Sequence, residues 1–427
     1  MDNQKNSIMY MATQKGRIFD FNISKKDQKV LRDLAKRVLE ISNQLEQSLK
    51  KKLWIEHNAL KNTRPLVVCY PENGWNEIIT KTSMLCEGES ARTWEFMLRK
   101  EVFWGEKMGD DYVIEPFLNL PYCYSESDWG MREIIQKVSD QGSYSWIPPI
   151  SDYEEDMPKL KIPEFEVDMG ATKKMLEIAE DCFKDIITPR IKGKFWHSLG
   201  LTFVLSELRG MQNLFMDFYD YPEYIHKLMG LARDFFLDKM LYAEKNGLLT
   251  ANNDELYIGG GVFGYTEELK PKNGEVKLSE MWCWAESQET VGVSSDFFKE
   301  FIFPYQQTLM EKFALVSYGC CEPLNDRWEV IKNIKNLRRV SVSPWSDVPD
   351  MAQKLGDKYV LTLKPSPSCL AQNTINHDEI RSDIRSKLKS VKNCNTEIIM
   401  KDNHTIGNNP NNVIDWVKIV REEIDSI

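Results

Sequence analysis

The sequence predicts an α/β protein: a single (β/α)8 TIM barrel that follows an N-terminal helical extension. Eight short apolar runs alternate with amphipathic helical patterns, which is typical of a parallel sheet closed into a barrel. The chain has 427 residues, of which 42% are hydrophobic and 28% charged, so it is long enough to form one such barrel around a large core. In this fold, catalytic side chains lie at the carboxyl ends of the strands.

The extension is predicted to cover residues 1–62 and the barrel residues 63–427. Ser24 and Asp27 resemble a capping box, and apolar residues then recur at helical spacing to about Asn58. Two insertions are expected: 119–171 over one barrel end, and 256–290 on the catalytic face. The eight predicted strands are 65–70, 112–117, 193–199, 247–252, 313–319, 338–343, 358–363 and 396–401.

The charge balance excludes some classes of partner. Asp plus Glu number 65 against 55 Lys plus Arg, giving a formal net charge of −10, which argues against a broad nucleic-acid or anionic-membrane surface. The N-terminus resembles no secretion signal, and no apolar run approaches the length needed to span a membrane. Nine scattered cysteines fit reduced thiols. We therefore expect a cytoplasmic protein.

A first polar cluster follows the predicted fifth strand. Tyr318, Cys320 and Glu322 alternate along the chain, so they would share one face of a strand while Cys321 points the other way. Thiolate and carboxylate groups at a barrel strand end are suitable ligands for zinc. The alternative is a buried cysteine pair with Glu322 capping the next helix.

A second polar cluster follows the predicted eighth strand and contains Asp402 and His404. The chain has five histidines, and only His197 and His404 fall at predicted strand ends. We expect His57, His226 and His377, which lie in helical patterns, to be surface or packing groups. Burying the polar run around His404 would be costly, which favours a catalytic role over a structural network.

The aromatic residues Trp284 and Trp345 are expected on the same rim. Together with His197, Asn253 and Glu286 they form the predicted substrate-binding set, although burial statistics favour core and lid packing for the tryptophans. Gly259, Gly261 and Gly264 match a dinucleotide-binding spacing, but no helix pattern follows them. They predict a flexible loop near the active site.

Several motifs resemble those of the uroporphyrinogen decarboxylase superfamily, specifically its corrinoid-dependent methyltransferase branch. Residues 403–406 (N-H-T-I) resemble the family's G-H-G-I or G-C-G-I motif, and residues 409–413 resemble its T-P-x-E-N-V helix start. Residues 196–205 and 218–223 resemble its G-x-P-F-T-L-A segment and D-x-P-E helix start. Residues 293–305 resemble its L-S-P-x-x-F-x-x-F-x-x-P-Y element. The resemblance runs from about residue 63 to the end.

The resemblance implies methyl transfer from a small methylated O-, N- or S-compound to the cobalt of a corrinoid protein. It implies zinc held by H-x-C on the fifth strand and a cysteine on the eighth. This chain has Tyr318-Gly-Cys320 and His404 there, so Cys320 and His404 are expected ligands, with Cys321 or Glu322 replacing the lost histidine. His404, Asp402 and Tyr318 are the implied catalytic residues.

No cobalamin-binding motif is present, so the cobalamin is expected on a partner protein. Two alternatives remain. A uroporphyrinogen-type decarboxylase would bind propionate groups with arginines after the first strand, but residues 69–76 contain none. A non-catalytic binding barrel would explain the lost histidine. A homodimer is also compatible with the sequence.

Overall fold

The computed structural model describes residues 21–132, 134–137, 144–193, 195–254, 257–271 and 274–426. Expectations for residues 1–20 lie outside this part of the chain. The helices are α1 (Lys25–Ser42), α2 (Leu45–Asn58), α3 (Trp75–Ile78), α4 (Glu89–Phe103), α5 (Tyr153–Asp156), α6 (Met169–Phe183), α7 (Thr202–Arg209), α8 (Met211–Asp220), α9 (Pro222–Lys245), α10 (Ser295–Phe297), α11 (Phe303–Met310), α12 (Trp328–Ile331), α13 (Val348–Leu355), α14 (His377–Ser390) and α15 (Asn411–Asp425). The strands are β1 (Leu66–Cys69), β2 (Phe117–Leu120), β3 (Tyr124–Glu126), β4 (Ile134–Lys137), β5 (Tyr144–Ile147), β6 (Phe165–Val167), β7 (Thr188–Ile191), β8 (Tyr257–Gly259), β9 (Val262–Phe263), β10 (Trp282–Ala285), β11 (Leu315–Tyr318), β12 (Leu337–Val342), β13 (Val360–Leu363) and β14 (Asn395–Met400).

The central sheet contains six parallel strands in the order β1-β14-β13-β12-β11-β10. The first strand of the chain therefore pairs with the last, with Leu66 opposite Glu397 and Cys69 opposite Met400. β2 and β7 form a separate parallel pair. The predicted α/β class with parallel strands is confirmed. Between the described strands, no ladder joins the β2-β7 pair to the sheet of six, so a closed barrel is not shown.

Side chains form hydrogen bonds with the backbone of both edge strands of the six-stranded sheet. At the β1 edge, the Asp111 carboxylate accepts a hydrogen bond from the Val67 N–H at 2.8 Å, and Asp110 accepts one from the Cys69 N–H at 3.0 Å. At the β10 edge, the Asn252 amide both accepts from the Trp282 N–H and donates to the Trp282 carbonyl, each at 2.9 Å. These side chains form hydrogen bonds with backbone N–H and C=O groups that would otherwise pair with another strand.

Five of the eight predicted strands coincide with observed strands. The first corresponds to β1, and the last four correspond to β11, β12, β13 and β14. The predictions at 112–117 and 193–199 are displaced from β2 and β7, and Lys194 lies outside the described residues. The prediction of a strand at 247–252 is wrong, because β10 occupies the corresponding place in the sheet. β10 is a fully buried strand that lies inside the segment 256–290, which the sequence predicts as an insertion, so that prediction is wrong for residues 282–285.

The N-terminal helices pack against the rest of the fold. The Ser24 hydroxyl accepts a hydrogen bond from the Asp27 N–H at 3.0 Å and begins α1, as predicted. The single long helix expected to Asn58 is instead two helices, α1 and α2. Trp54 of α2 is fully buried, and its indole N–H donates to the Asp111 carbonyl at 2.8 Å. No helix of the described residues is long and apolar enough to cross a membrane.

The glycine-rich segment differs from its prediction. It forms the β8-β9 hairpin, and Gly259, Gly260 and Gly261 at its tip are all buried instead of forming an open rim loop. All three have positive φ. A Cβ on Gly259 would lie 2.3 Å from Trp284, and one on Gly261 would lie 2.6 Å from Ile399. The tip is therefore packed against Trp284 of β10 and Ile399 of β14.

We expect Gly261→Ala to destabilise the protein measurably. The added methyl group would overlap Ile399, and φ of +89° disfavours a residue with a Cβ. The two penalties together should lower stability by about 2 kcal/mol or more, measured by urea denaturation. Gly292→Ala is the matched control, because its Cβ would meet Phe215 only at an ordinary 3.7 Å. Equal stability of the two variants would contradict the buried hairpin.

Candidate functional site

The carboxyl ends of β11 and β14 bring two cysteines and an aspartate together. The Sγ atoms of Cys320 and Cys321 are 3.6 Å apart, and Cys321 Sγ is 3.2 Å from Asp402 Oδ2. One ligand atom from each of the three residues lies within 4.8 Å of the other two. Lys401 also contacts this cluster: its Nζ lies 3.8 Å from Cys320 Sγ and forms an ion pair with Asp402. We call Cys320, Cys321 and Asp402 the thiol–carboxylate cluster.

Side-chain hydrogen bonds fix both the N–H and the carbonyl group of Cys320. Its N–H donates to Glu322 Oε2 at 2.9 Å, and its carbonyl accepts from Ser341 Oγ and Lys364 Nζ, each at 3.2 Å. The preceding Gly319 has φ of +99°, and a Cβ there would lie 2.7 Å from Leu324. Only glycine fits this turn, which directs the chain into the thiol pair.

The local electrostatics give the two thiols different pKa values. The hydrogen bond from Cys321, supported by Lys364 and Lys401, lowers the pKa of Cys320 to about 7 although burial opposes this shift. The same hydrogen bond and burial raise the pKa of Cys321. Burial would raise the pKa of Asp402, but Lys401 outweighs burial and lowers it. Cys320 therefore loses its proton more readily than Cys321, and it does so close to the Asp402 carboxylate.

The cluster fits a zinc ion in donor chemistry and spacing. Zinc binds thiolates at about 2.3 Å in a tetrahedron, which places two sulfur ligands about 3.8 Å apart. The observed sulfur separation of 3.6 Å is close to that distance. Thiolates with a carboxylate are donors that select zinc over magnesium or calcium.

Two residues predicted to act beside the thiols have other partners. Glu322 is fully buried, and its two carboxylate oxygens accept from the N–H groups of Ser287 and Cys320, each at 2.9 Å. It therefore holds the backbone and is not one of the three clustered ligands. Tyr318 is also fully buried, and its hydroxyl donates to Gln306 Oε1 at 2.7 Å.

His404 follows β14 as predicted, and its side chain is exposed. It is not part of the group whose ligand atoms lie within 4.8 Å of one another, whereas Asp402, two residues earlier, is. Asp402 adopts a left-handed conformation with φ of +62°. This turn carries the Asp402 carboxylate to Cys321 and Lys401.

The predicted substrate-binding residues fall in different surroundings. His197 is exposed and lies edge-on to the Trp284 ring, with 5.2 Å between the ring centres. Glu286 is buried and accepts from Ser198 Oγ at 2.9 Å, and burial raises its pKa well above the usual value. Asn253 donates to the Leu269 carbonyl. Trp345 is 77% exposed.

Sequence reasoning missed Lys364 and Glu72. Lys364 follows β13 directly and is buried beside the Cys320 carbonyl. Glu72 follows β1, and its Oε1 lies 3.9 Å from Lys401 Nζ. Burial raises the pKa of Glu72. A lysine immediately after an apolar strand was the available signal for Lys364.

A cavity of about 380 Å³ lies away from the thiols, beside the start of β1. It is lined by α2 residues such as Lys50 and by Arg64, Asp111 and Arg421. Asp111 pairs with both arginines at 2.7 Å, so each guanidinium group already has a carboxylate partner. This cavity is not where the reactive groups converge.

Fold and site together define a parallel α/β protein with a thiol–carboxylate cluster at the carboxyl ends of its strands. No protein-family model and no curated relative matches the chain. Among solved structures, its fold is similar to that of a methyltransferase from Methanosarcina mazei, with a TM-score of 0.48 and 12% identity; the match covers 88% of this chain and 98% of that one. Similarity at this level does not extend to activity.

Proposed function

We propose that this protein is a methyltransferase that moves a methyl group from a small methylated compound to the cobalt of a partner corrinoid protein. The observation that carries the proposal is the convergence of Cys320, Cys321 and Asp402 where two parallel strands end. The motifs at 196–223, 293–305 and 403–413 support the same superfamily. The cobalamin belongs to the partner, because this chain lacks a cobalamin-binding motif.

The proposal includes a closed (β/α)8 barrel. β1 pairs with β14, which is the pairing of first and last strand that a closed barrel requires. The side chains of Asp110, Asp111 and Asn252 hydrogen-bond to the backbone of the two edge strands, β1 and β10. Closure would place the ends of all eight strands on one rim around the thiol–carboxylate cluster.

The residues that would hold zinc are Cys320, Cys321 and Asp402. Bound there, zinc would act as a Lewis acid toward the oxygen, nitrogen or sulfur that loses its methyl group. When that bond breaks, its electron pair stays on the heteroatom, which needs charge stabilisation or a proton. Lys401 orients Asp402 through their ion pair, and Glu322 fixes the Cys320 backbone. We assign the delivery of this proton to the exposed His404.

Metal analysis and a donor screen test the proposal. The purified protein should contain about one zinc per chain, and one class of methylated donor should methylate reduced corrinoid protein in its presence. A metal-free protein that remains fully active would remove zinc from the mechanism. Release of carbon dioxide from porphyrinogens, without methyl transfer, would support the decarboxylase alternative instead.

We expect His404→Ala to slow methyl transfer by about 10²- to 10⁴-fold while keeping its zinc, because a proton donor is lost and the three clustered ligands remain. His404→Cys should be equally slow. His377→Ala is the control, since His377 is 53% exposed on α14. If His404→Ala loses zinc and His404→Cys retains it, His404 is a ligand and not the acid. An unchanged rate and zinc content would contradict both roles.

A further inference from the structure

The two cysteines of the thiol–carboxylate cluster are neighbours in the chain, and their sulfur atoms are in contact. In an extended chain, consecutive side chains point to opposite sides. After β11 the chain bends at residues 320–322 and turns both thiols to the same side, with 3.6 Å between Cys320 Sγ and Cys321 Sγ. Because a disulfide bond is about 2.0 Å long, a closer approach of about 1.6 Å would join the two sulfurs.

The two thiols differ in their access to solvent. Cys320 is 3% exposed, whereas Cys321 is half-buried, so Cys321 is the thiol that a small oxidant in solution reaches first. An accessible sulfur beside a second, resolving thiol is the arrangement found in redox-sensing cysteine pairs. The contact between Cys320 and Cys321 therefore suits oxidation as well as metal binding.

The backbone of the pair favours a labile bond over a permanent one. Consecutive Cα atoms lie about 3.8 Å apart, below the range of about 4.4 to 6.8 Å in ordinary disulfides. A disulfide between neighbours is therefore strained and easily reduced, which is typical of regulatory disulfides. Hydrogen bonds with Glu322, Ser341 and Lys364 fix the Cys320 backbone. The movement that closes the bond therefore falls mainly on Cys321.

We propose that Cys320 and Cys321 form a reversible disulfide in the metal-free protein, and that this disulfide regulates the site by preventing zinc from binding. The inference rests on the proposed function, because it names a regulation of the same site. Cysteine binds a metal as the thiolate, and a disulfide contains none. Oxidation removes two of the three clustered ligands and leaves Asp402 alone. Since methyl transfer requires reduced cobalt, the site is switched off under the conditions in which its partner is inactive.

Hydrogen peroxide is a suitable oxidant for this step. The sulfur of one cysteine attacks a peroxide oxygen, the O–O bond breaks, and a sulfenic acid and one water molecule form. The sulfur of the other cysteine then attacks the sulfenic sulfur, the S–O bond breaks, and the S–S bond forms as a second water molecule leaves. Both S–H protons end in the water molecules. The two sulfurs together lose two electrons, and the peroxide gains them.

Peroxide treatment of the zinc-free protein, followed by alkylation in denaturant and peptide mass spectrometry, tests the proposal. The wild type should lose two of its nine free thiols, and the peptide that contains residues 320–321 should lack two hydrogens and carry no alkyl group. Dithiothreitol should restore both thiols. Protein loaded with zinc before the treatment should keep all nine, because zinc holds both sulfurs.

Zinc binding to the oxidised and reduced protein tests the regulatory step. Loss of one group that supports a metal ligand costs roughly 10- to 100-fold in affinity. Loss of both sulfur ligands should therefore weaken zinc binding by at least about 100-fold, and dithiothreitol should restore it. Calorimetric titration with zinc measures both states, without a methyl donor or a corrinoid protein.

Two variants separate this pair from the other thiols. Cys320→Ser cannot form the bond, so the accessible Cys321 should stop at the sulfenic acid, which dimedone traps, whereas the wild type should give no adduct. Cys394→Ser is the matched control, since Cys394 is half-buried like Cys321 and its Sγ contacts the Ala352 carbonyl at 3.5 Å. It should form the disulfide at residues 320–321 as readily as the wild type.

Two outcomes would overturn the inference. In one, peroxide converts the cysteines to sulfinic acids or links separate chains, and no disulfide forms within residues 320–321. In the other, the disulfide forms but the oxidised protein binds zinc as tightly as the reduced protein. Both outcomes leave methyl transfer by the reduced, zinc-loaded protein untouched. Reversible oxidation with loss of zinc, but no methyl transfer after reduction and zinc loading, would retain the redox pair and reject the proposed function.

Discussion

Cys320→Ser is expected to lose most of its zinc and at least about 100-fold of its methyl-transfer rate. Loss of a group that supports a metal ligand costs roughly 10- to 100-fold, and loss of a ligand should cost more. A serine hydroxyl cannot replace a thiol whose pKa is held at about 7 by Cys321, Lys364 and Lys401. Zinc per chain and the rate of corrinoid methylation are the two measurements.

Cys394→Ser is the matched control for this variant. Cys394 is half-buried just before β14, and its Sγ contacts only the Ala352 carbonyl, at 3.5 Å, among the hydrogen bonds of the described residues. We expect it to keep its zinc and its rate. If Cys320→Ser keeps both as well, the thiol–carboxylate cluster is not the reactive site. Loss of zinc with an unchanged rate would leave zinc as a structural ion.

Arg339→Met is expected to cost about 3 to 5 kcal/mol of the free energy of unfolding, because it breaks a fully buried ion pair. Arg339 Nε lies 3.0 Å from Glu397 Oε1, and both side chains are buried within the sheet. Glu397 also contacts His57 Nε2 at 3.4 Å and accepts from Thr362 Oγ1 at 2.6 Å. Removing Arg339 leaves a buried carboxylate without its main counter-charge.

The neighbouring Arg338 provides the control. It pairs at 2.7 Å with Glu268, which is 44% exposed, and it also donates to the Asn58 carbonyl at 2.6 Å. Arg338→Met should therefore cost about 1 to 2 kcal/mol when both variants are compared by urea titration. If the two variants lose the same free energy of unfolding, burial does not make the Arg339–Glu397 pair more important than the Arg338–Glu268 pair.

The stability that the Arg339–Glu397 ion pair contributes also depends on pH. Burial would raise the pKa of Glu397, but Arg339 and His57 outweigh burial and lower it below its usual 4.5. The stability that Glu397 contributes is therefore complete above pH 4.5 and is lost as the pH falls through its folded pKa.

His57 is part of this buried network and is therefore not a surface residue. The sequence places His57 in a helical pattern, which suggests a surface or packing residue whose replacement would matter little. In the structure His57 is fully buried at the end of α2, against Glu397 of β14. His226 is half-buried and hydrogen-bonded to the Tyr305 hydroxyl at 2.9 Å. The exposed His377 is accordingly the better control histidine.

The alternation of apolar runs and amphipathic helices predicted the parallel α/β class and five of the strands, because burial patterns repeat locally along the chain. The same local reading identified the two strand ends that carry the site. It failed for β10, a short buried strand inside the segment 256–290 that the sequence predicted as an insertion. It also failed for the glycine segment, which resembles a mobile loop by composition but is packed against Trp284 of β10 and Ile399 of β14.

The sequence by itself therefore determined which residue types lie at the ends of β11 and β14, including both cysteines, Asp402 and His404. Only the tertiary structure decided which of them meet. The left-handed turn at Asp402 places its carboxylate beside Cys321, and the backbone hydrogen bonds of Glu322 direct its carboxylate away from the ligand cluster. Lys364 comes from a third strand. Contacts between segments far apart in the chain depend on strand order, twist and backbone torsions, which periodicity within one segment does not encode.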